Sequence, residues 1–231
     1  MDLGLYIAAT GMVAEQTRQD QLSNDLANSS TPGYKPDEAA QHSFGEVLLA
    51  NTEGGAPVGT AVAGVALGKS YTDLTQGSLQ ETGEPLDFAI AGSGFFAVKT
   101  AQGVRYTRDG QFMVDSAGQL TDTSGNLVLG QSGGPVKVAA NGTVATTALG
   151  VFEIAGAAKQ GETLFTGTPS GKAAGTVRSG FLEGSGVDAA KIMVEMISTM
   201  RDFQSGQQAI QAIAQTLQSA STQVGSLSTG G

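Results

Sequence analysis

Leu86-Asp87-Phe88-Ala89-Ile90-Ala91-Gly92-Ser93-Gly94-Phe95-Phe96-Ala97-Val98 sets the class of the fold. Leu86, Phe88 and Ile90 alternate with Asp87 and Ala89, and Phe96 and Val98 resume the alternation after a Gly-rich turn. Successive strand side chains point to opposite faces, so period two predicts two short strands joined tightly. Reading outward, Phe112 and Val114 alternate, then Leu127 and Leu129, with Asp109-Gly110, Ala117-Gly118 and Ser124-Gly125 as turns between them. Apolar alternation between Gly turns is a β-meander pattern. Asn141-Gly142, between Val138 and Val144, signals a further hairpin, and Phe152 with Ile154 a further strand. The expectation is a compact all-β domain over residues 86–181.

Both flanks change period. From Leu3 to Asn28, the residues Leu5, Ala8, Met12, Gln19, Leu22 and Leu26 fall at steps of three, four or seven, which predicts a helix with one mostly apolar stripe. Thr31-Pro32-Gly33 ends it, because Pro cannot donate and pushes its predecessor out of the α region. From Val187 to Val224, Met193, Met196, Met200, Phe203, Gln207, Ile210, Ala214, Leu217, Ser221 and Val224 step alternately by three and four. That is a heptad seam, with Ser185 or Asp188 placed to cap its start and Gly206 as a weak point. Tyr34 to Leu79 has little periodicity, and Asn51 to Gly68 reads as an extended connection. The chain thus divides into a helix and turn over 1–35, a connection over 36–85, the β domain over 86–181 and a closing helix over 182–231. The fold class is mainly β with terminal α-helices that form a coiled-coil-like assembly region. Two orphan seams must pair with each other or with neighbouring copies, since short isolated helices are marginal in water.

Composition narrows the function. The 231 residues are 40% apolar and 14% charged, with 34 Gly, and the net charge is -9 from 12 Lys and Arg against 21 Asp and Glu. The cations stand singly, so neither nucleic acid nor an anionic membrane is an expected partner. Without cysteine there are no disulfides, thiolate zinc sites or Cys nucleophiles. Met1-Asp2-Leu3-Gly4 does not start a basic leader, and no apolar run has the length of a membrane span, so no membrane insertion is expected.

The chemical motifs fail one by one. Gly92-Ser93-Gly94-Phe95-Phe96-Ala97 fits a loose dinucleotide fingerprint, but a strand follows where a helix must start. Gly68-Lys69-Ser70 ends like a phosphate loop, yet the required first glycine is Ala63. His42 is the only histidine and sits in a polar stretch, read as a solvated surface residue. Asn28-Ser29-Ser30 and Asn141-Gly142-Thr143 match the glycosylation sequon but read as a helix end and a turn. No catalytic residues, metal ligands or cofactor site are expected, so the chain reads as no enzyme.

Three segments resemble the flagellar rod, hook and basal-body protein family. They are Leu22-Ser23-Asn24-Asp25-Leu26-Ala27-Asn28 running on to Thr31-Pro32-Gly33-Tyr34-Lys35, then Leu86 to Ile90 through Tyr106-Thr107-Arg108-Asp109-Gly110, and Gly180-Phe181-Leu182-Glu183-Gly184-Ser185-Gly186-Val187 leading to Met200-Arg201-Asp202-Phe203. The sequence departs from the family pattern at Gly186, where Asn is usual, and at Gly206. The resemblance implies a structural subunit of the basal-body rod, proximal or distal, exported uncleaved by the flagellar export apparatus. It implies assembly into a helical tube with its own copies and other rod or hook subunits as partners. The short β region favours rod over hook. The expected assembly residues are Leu5, Met12, Leu22, Leu26, Met193, Met196, Met200, Phe203, Ile210 and Leu217. A secreted β-rich binding module, such as an adhesin, is the alternative.

Overall fold

A computed structural model describes residues 3–50 and 57–228. In chain order the elements are α1 (Leu3–Ala27), β1 (Asp37–Ala50), β2 (Pro57–Thr72), β3 (Leu79–Glu81), β4 (Phe88–Ala91), β5 (Phe95–Thr100), β6 (Gly103–Thr107), β7 (Phe112–Val114), β8 (Leu120–Asp122), β9 (Leu127–Leu129), a 3-10 turn (Thr146–Ala148), β10 (Val151–Gln160), β11 (Leu164–Lys172), β12 (Thr176–Ser179), β13 (Phe181–Glu183) and α2 (Ala189–Ser228). The protein is mainly β with one helix toward each end, as the periodicities predict. These elements fall into two units, one of residues 1–24, 38–71 and 190–231, the other of 25–37 and 72–189.

In the second unit, seven strands pair in the order β10-β11-β6-β5-β9-β8-β7, with β10 returning to β5. That return brings Val151 opposite Phe96 and Phe152 opposite Phe95, closing β10, β11, β6 and β5 on one another. β5 lies inside this arrangement, so both of its faces are covered. Phe96 and Val98 join Phe88, Ile90, Phe112, Leu120 and Val128 in one core. Phe95 and Ala97 join Tyr106, Leu129 and Phe165 in a second. Two buried faces explain why this strand reads as a near-continuous apolar run. Ring contacts tie the first core together, Phe96 meeting Phe112 edge-on at 5.3 Å between centroids. β12 pairs with β4, and β13 with β3.

Two expectations change in detail. Asn141-Gly142 does make a tight turn, Gly142 N–H donating to Ala139 C=O and Ala139 N–H to Thr143 C=O. Its flanks form no paired strands, because Val136, Val144 and Leu149 turn inward to the first core instead of laddering with each other. The stretch read as a connection holds two long paired strands, β1 and β2. Their Ala, Gly and Thr content lacks the alternation that announces a half-buried strand, so pattern reading misses them. Residues 51–56 of that stretch, and the side chain of His42, lie outside what the structure describes.

In the first unit α1 and α2 pack against each other in antiparallel sense. A Cβ placed on Gly4 meets Ile213 Cδ1 at 3.5 Å, and one placed on Gly206 meets Met12 Cγ at 2.9 Å. Farther along, the Arg18 guanidinium faces the Glu195 carboxylate at 3.8 Å. The seam of α2 that faces α1 runs through Thr199, Phe203, Gly206 and Ile213. Gly206 is therefore a packing position: its missing side chain makes the space that Met12 occupies. Gly206→Ala recovers about 1 kcal/mol of helix propensity but drives a methyl into Met12, an overpacking cost of about 1–3 kcal/mol. The expected net effect is a lower thermal midpoint of the helical signal. Pairing it with Met12→Ala removes the clash, so the double variant should lose less than the two singles added together.

Candidate assembly surfaces and a buried ionic junction

Three distant stretches meet on the Glu183 carboxylate. Lys35 Nζ donates to Glu183 Oε1 at 2.5 Å and Arg108 NH1 to Oε2 at 3.0 Å, while the Gly77 N–H reaches Oε1 at 2.9 Å. Lys35 and Glu183 are fully buried and Arg108 is 4% exposed. Lys35 Nζ also reaches the Thr75 carbonyl at 2.5 Å, and Arg108 NH2 the Gly92 carbonyl at 3.0 Å, while the buried Arg108 Nε has no hydrogen-bond partner. Arg108 also stacks over the Phe95 ring at 5.1 Å. A buried ion pair is sustained only when further hydrogen bonds satisfy its partners, and here they satisfy all but the Arg108 Nε.

The Thr31–Lys35 turn is seated by backbone bonds around this centre. Gly33 N–H donates to the Glu183 carbonyl at 2.8 Å and Gly186 N–H to the Tyr34 carbonyl at 2.9 Å. Gly33 has φ +68°, and a Cβ there would lie 2.4 Å from the Arg108–Asp109 peptide. Only Gly fits, both for the left-handed backbone and for the close approach. The buried Tyr34 hydroxyl donates to Asp25 Oδ1 at 2.7 Å. Lys159 lies 4.0 Å over the Tyr34 ring, and its Nζ donates to the Lys35 carbonyl and the Asp37 carboxylate. Burial pushes the Asp25 carboxyl above its ordinary value, against the lowering influence of the Tyr34 hydrogen bond and the Lys159 charge. Burial likewise drives the Tyr34 phenol well above its usual value, the Asp25 carboxylate reinforcing it.

Sequence reading did not single out Lys35, Arg108 or Glu183 as a site. The signal was present: one stands in each of the three segments that carry the family resemblance. A charged residue inside an otherwise apolar or Gly-rich motif marks a buried pair, but nothing local says which charges meet.

The ten residues expected at an assembly interface divide. On α1, Leu22 is buried and Leu5, Met12 and Leu26 are half-buried. On α2, Met196, Phe203 and Ile210 are half-buried, whereas Met193, Met200 and Leu217 stand 51%, 54% and 49% exposed. Phe203 and Met200 border a cleft of about 230 Å³ with Glu15, Gln16, Gln19 and Thr199. Beyond the ten, Tyr6, Val13, Val194 and Ile197 are exposed apolar side chains on the same two helices. The apolar surface of α2 is wider than one seam: one stripe packs on α1 and a neighbouring stripe faces solvent.

In the β unit a depression of about 190 Å³ is lined by Thr107, Asp109, Asp122, Ser124 and Glu162. Burial pushes the Asp109 carboxyl up to about 6, with the Asp122 and Asp87 charges adding to it and the Gln111 N–H working against it. Among the described residues no three His, Asp or Glu side chains are grouped to hold a metal ion, and no helix is long and apolar enough to cross a membrane.

The fold thus pairs a β unit built on a buried ionic junction with a helical hairpin that shows apolar side chains to solvent, a candidate protein-contact surface. The comparisons place it within a family. Residues 5–35 match the flagella basal body rod protein family, 89–150 the D1 domain of the flagellar hook protein FlgE/F/G, and 178–223 the C-terminal region of flagellar basal body rod FlgEFG proteins. The chain is 30% identical to the flagellar hook-basal body complex protein FlhO of Bacillus subtilis, covering 97% of this chain and 99% of that one. It is 30% identical to the flagellar basal-body rod protein FlgG of the same organism, over 93% and 96%. It is 28% identical to the rod protein FlgF of Caulobacter vibrioides, over 98% and 100%. The chain belongs to the flagellar basal-body rod protein family: it is a structural protein of the basal body, not an enzyme.

Three measurements test the junction and its surroundings. Glu183→Gln leaves Lys35 and Arg108 buried beside a neutral amide, and should destabilise the β unit by about 3–5 kcal/mol in chemical unfolding. A fragment of 86–181, which lacks both Lys35 and Glu183, should melt well below one of 25–189. For Asp109 the folded-state value lies above the unfolded one, so its contribution is fully present below about pH 4 and is lost as pH rises toward 6. Asp109→Asn, which can still accept the Gln111 N–H, should raise the melting temperature at pH 7 and flatten its rise on acidification.

Proposed function

We propose that this chain is a self-assembling axial subunit of the rod, which builds a helical tube through its two helices and transmits torque along it. Its partners are its own copies and neighbouring rod or hook subunits, and it reaches them through the flagellar export apparatus. It needs no cofactor. The observation that carries this reading is the exposed apolar stripe on α2, Met193, Val194, Ile197 and Met200, left over after α2 has packed on α1. A solvated helix gains nothing from four large apolar side chains on its outer face, whereas a protein–protein contact does.

Within that reading the ten expected residues take two roles. Leu5, Met12, Leu22, Leu26, Met196, Phe203 and Ile210 hold the hairpin in the shape that assembles. Met193, Met200 and Leu217, joined by Ile197, contact neighbours. The division of the chain into a first helix and turn, a connecting segment, a β domain and a closing helix corresponds to an assembly region interrupted by a body. Phe203→Ala should lower the thermal midpoint of the hairpin by the equivalent of about 2–3 kcal/mol, since the side chain is only half-buried. Ile197→Lys should leave that midpoint in place and abolish swimming when supplied to a strain lacking the gene. Normal swimming with Ile197→Lys would sink the proposal.

A further inference from the structure

Methionine is the only sulfur in this chain. With six Met, no Cys and no Trp, a thioether is the first side chain that a two-electron oxidant meets. Among the described residues the fold sorts these methionines by access. Met12 is half-buried, its Cγ held against the gap at Gly206, and Met196 is half-buried on α2. Met193 and Met200 stand 51% and 54% exposed. They are two helical turns apart, about 10 Å along one face. With Val194 and Ile197 they make up the exposed apolar stripe of α2, so half of that stripe is thioether. Met113 is exposed as well, but it stands on β7 in the other unit.

We infer that Met193 and Met200 are a paired site of reversible oxidation by hydroperoxides, and that oxidation there turns the α2 stripe polar before a protein contact covers it. The step is an oxygen transfer. A sulfur lone pair attacks the peroxide, the S–O bond forms as the O–O bond breaks, and the departing oxygen takes a proton to leave as water or an alcohol. Sulfur gives up two electrons and the peroxide gains them. A methionine sulfoxide reductase, drawing on a thiol, reverses the change. The sulfoxide is a polar group with a hydrogen-bonding oxygen, where the thioether is a soft apolar one. Two sulfoxides leave only Val194 and Ile197 apolar on the stripe, which removes the property that suits it to a contact. Oxidation of Met113 leaves the stripe as it was. The chemistry depends on exposure alone, whereas its consequence rests on the contact reading of the stripe given above.

The test has a chemical arm and a cellular one. Purified full chain is treated with dilute hydrogen peroxide, and each Met-containing peptide is followed by mass spectrometry. Met193 and Met200 should gain one oxygen at least about fivefold faster than Met12, and lose it when a methionine sulfoxide reductase and dithiothreitol are added. Circular dichroism checks that α2 stays helical throughout. In a strain lacking the gene, the pair Met193→Gln with Met200→Gln imitates the polar sulfoxides. It should keep the thermal midpoint of the hairpin and fail to enter basal bodies, while Met113→Gln enters normally. The pair Met193→Leu with Met200→Leu should enter normally and go on doing so at a peroxide dose that stops entry of the wild-type chain. Equal oxidation rates at Met12, Met193 and Met200 overturn the site. Normal entry of the Gln pair, or equal peroxide sensitivity of the Leu pair and wild type, overturns the consequence. Normal swimming with Ile197→Lys overturns the contact reading instead, and is distinct because the oxidation rates still differ.

Discussion

A carboxylate taken wholly out of water must be met on all sides, and Glu183 is met by Lys35, Arg108 and the Gly77 N–H at once. That requirement organises the β unit. Lys35 ends the turn after α1, Arg108 directly follows β6 beside the Phe95 core, and Glu183 closes β13 just before the entry to α2. None of the three is tolerable there alone, so the two stretches of this unit, 25–37 and 72–189, are tied together. The surrounding backbone bonds, Gly33 to Glu183 and Gly186 to Tyr34, are the consequence of that seating.

The same constraint explains the Gly at position 33. With the turn drawn onto the Arg108–Asp109 peptide, no Cβ fits and the backbone must be left-handed. A motif such as Thr31-Pro32-Gly33-Tyr34-Lys35 thus has a division of labour. Pro ends the helix, Gly permits contact, Tyr34 covers Asp25 and Lys35 supplies the buried charge. Each residue type answers a different physical demand within five positions.

The hairpin follows a different logic. Its inner seam is modest, built around Phe203, Ile213, Met12 and the gap at Gly206. Its outer face is apolar at one end of α2 and neutral-polar at the other. The part of that face poorly matched to water is the apolar stretch Met193, Val194, Ile197 and Met200. The rod family to which the chain belongs is consistent with this, since its members are structural components of the flagellar basal body.

The order helix, β region, helix was legible from the sequence, as were most strands of the β unit, because each depends on a local period. Phe88, Phe96 and Phe112 were readable as core for the same reason. β1 and β2 were not, since Ala, Gly and Thr carry no period to read. The seam of α2 was half legible: Met196, Phe203 and Ile210 lie inward, but Met193, Met200 and Leu217 face out. Two apolar stripes lie side by side on one helix, and a pattern of threes and fours cannot choose between them. Only the packing of Met12 into the space at Gly206 decides. The ionic junction was decided by tertiary structure as well. Lys35 and Glu183 are 148 residues apart and Arg108 and Glu183 are 75 apart, and no local rule pairs charges across such separations. What the sequence determined alone is what neighbours along the chain determine, the type of each element; which faces and charges meet is set by chain closure.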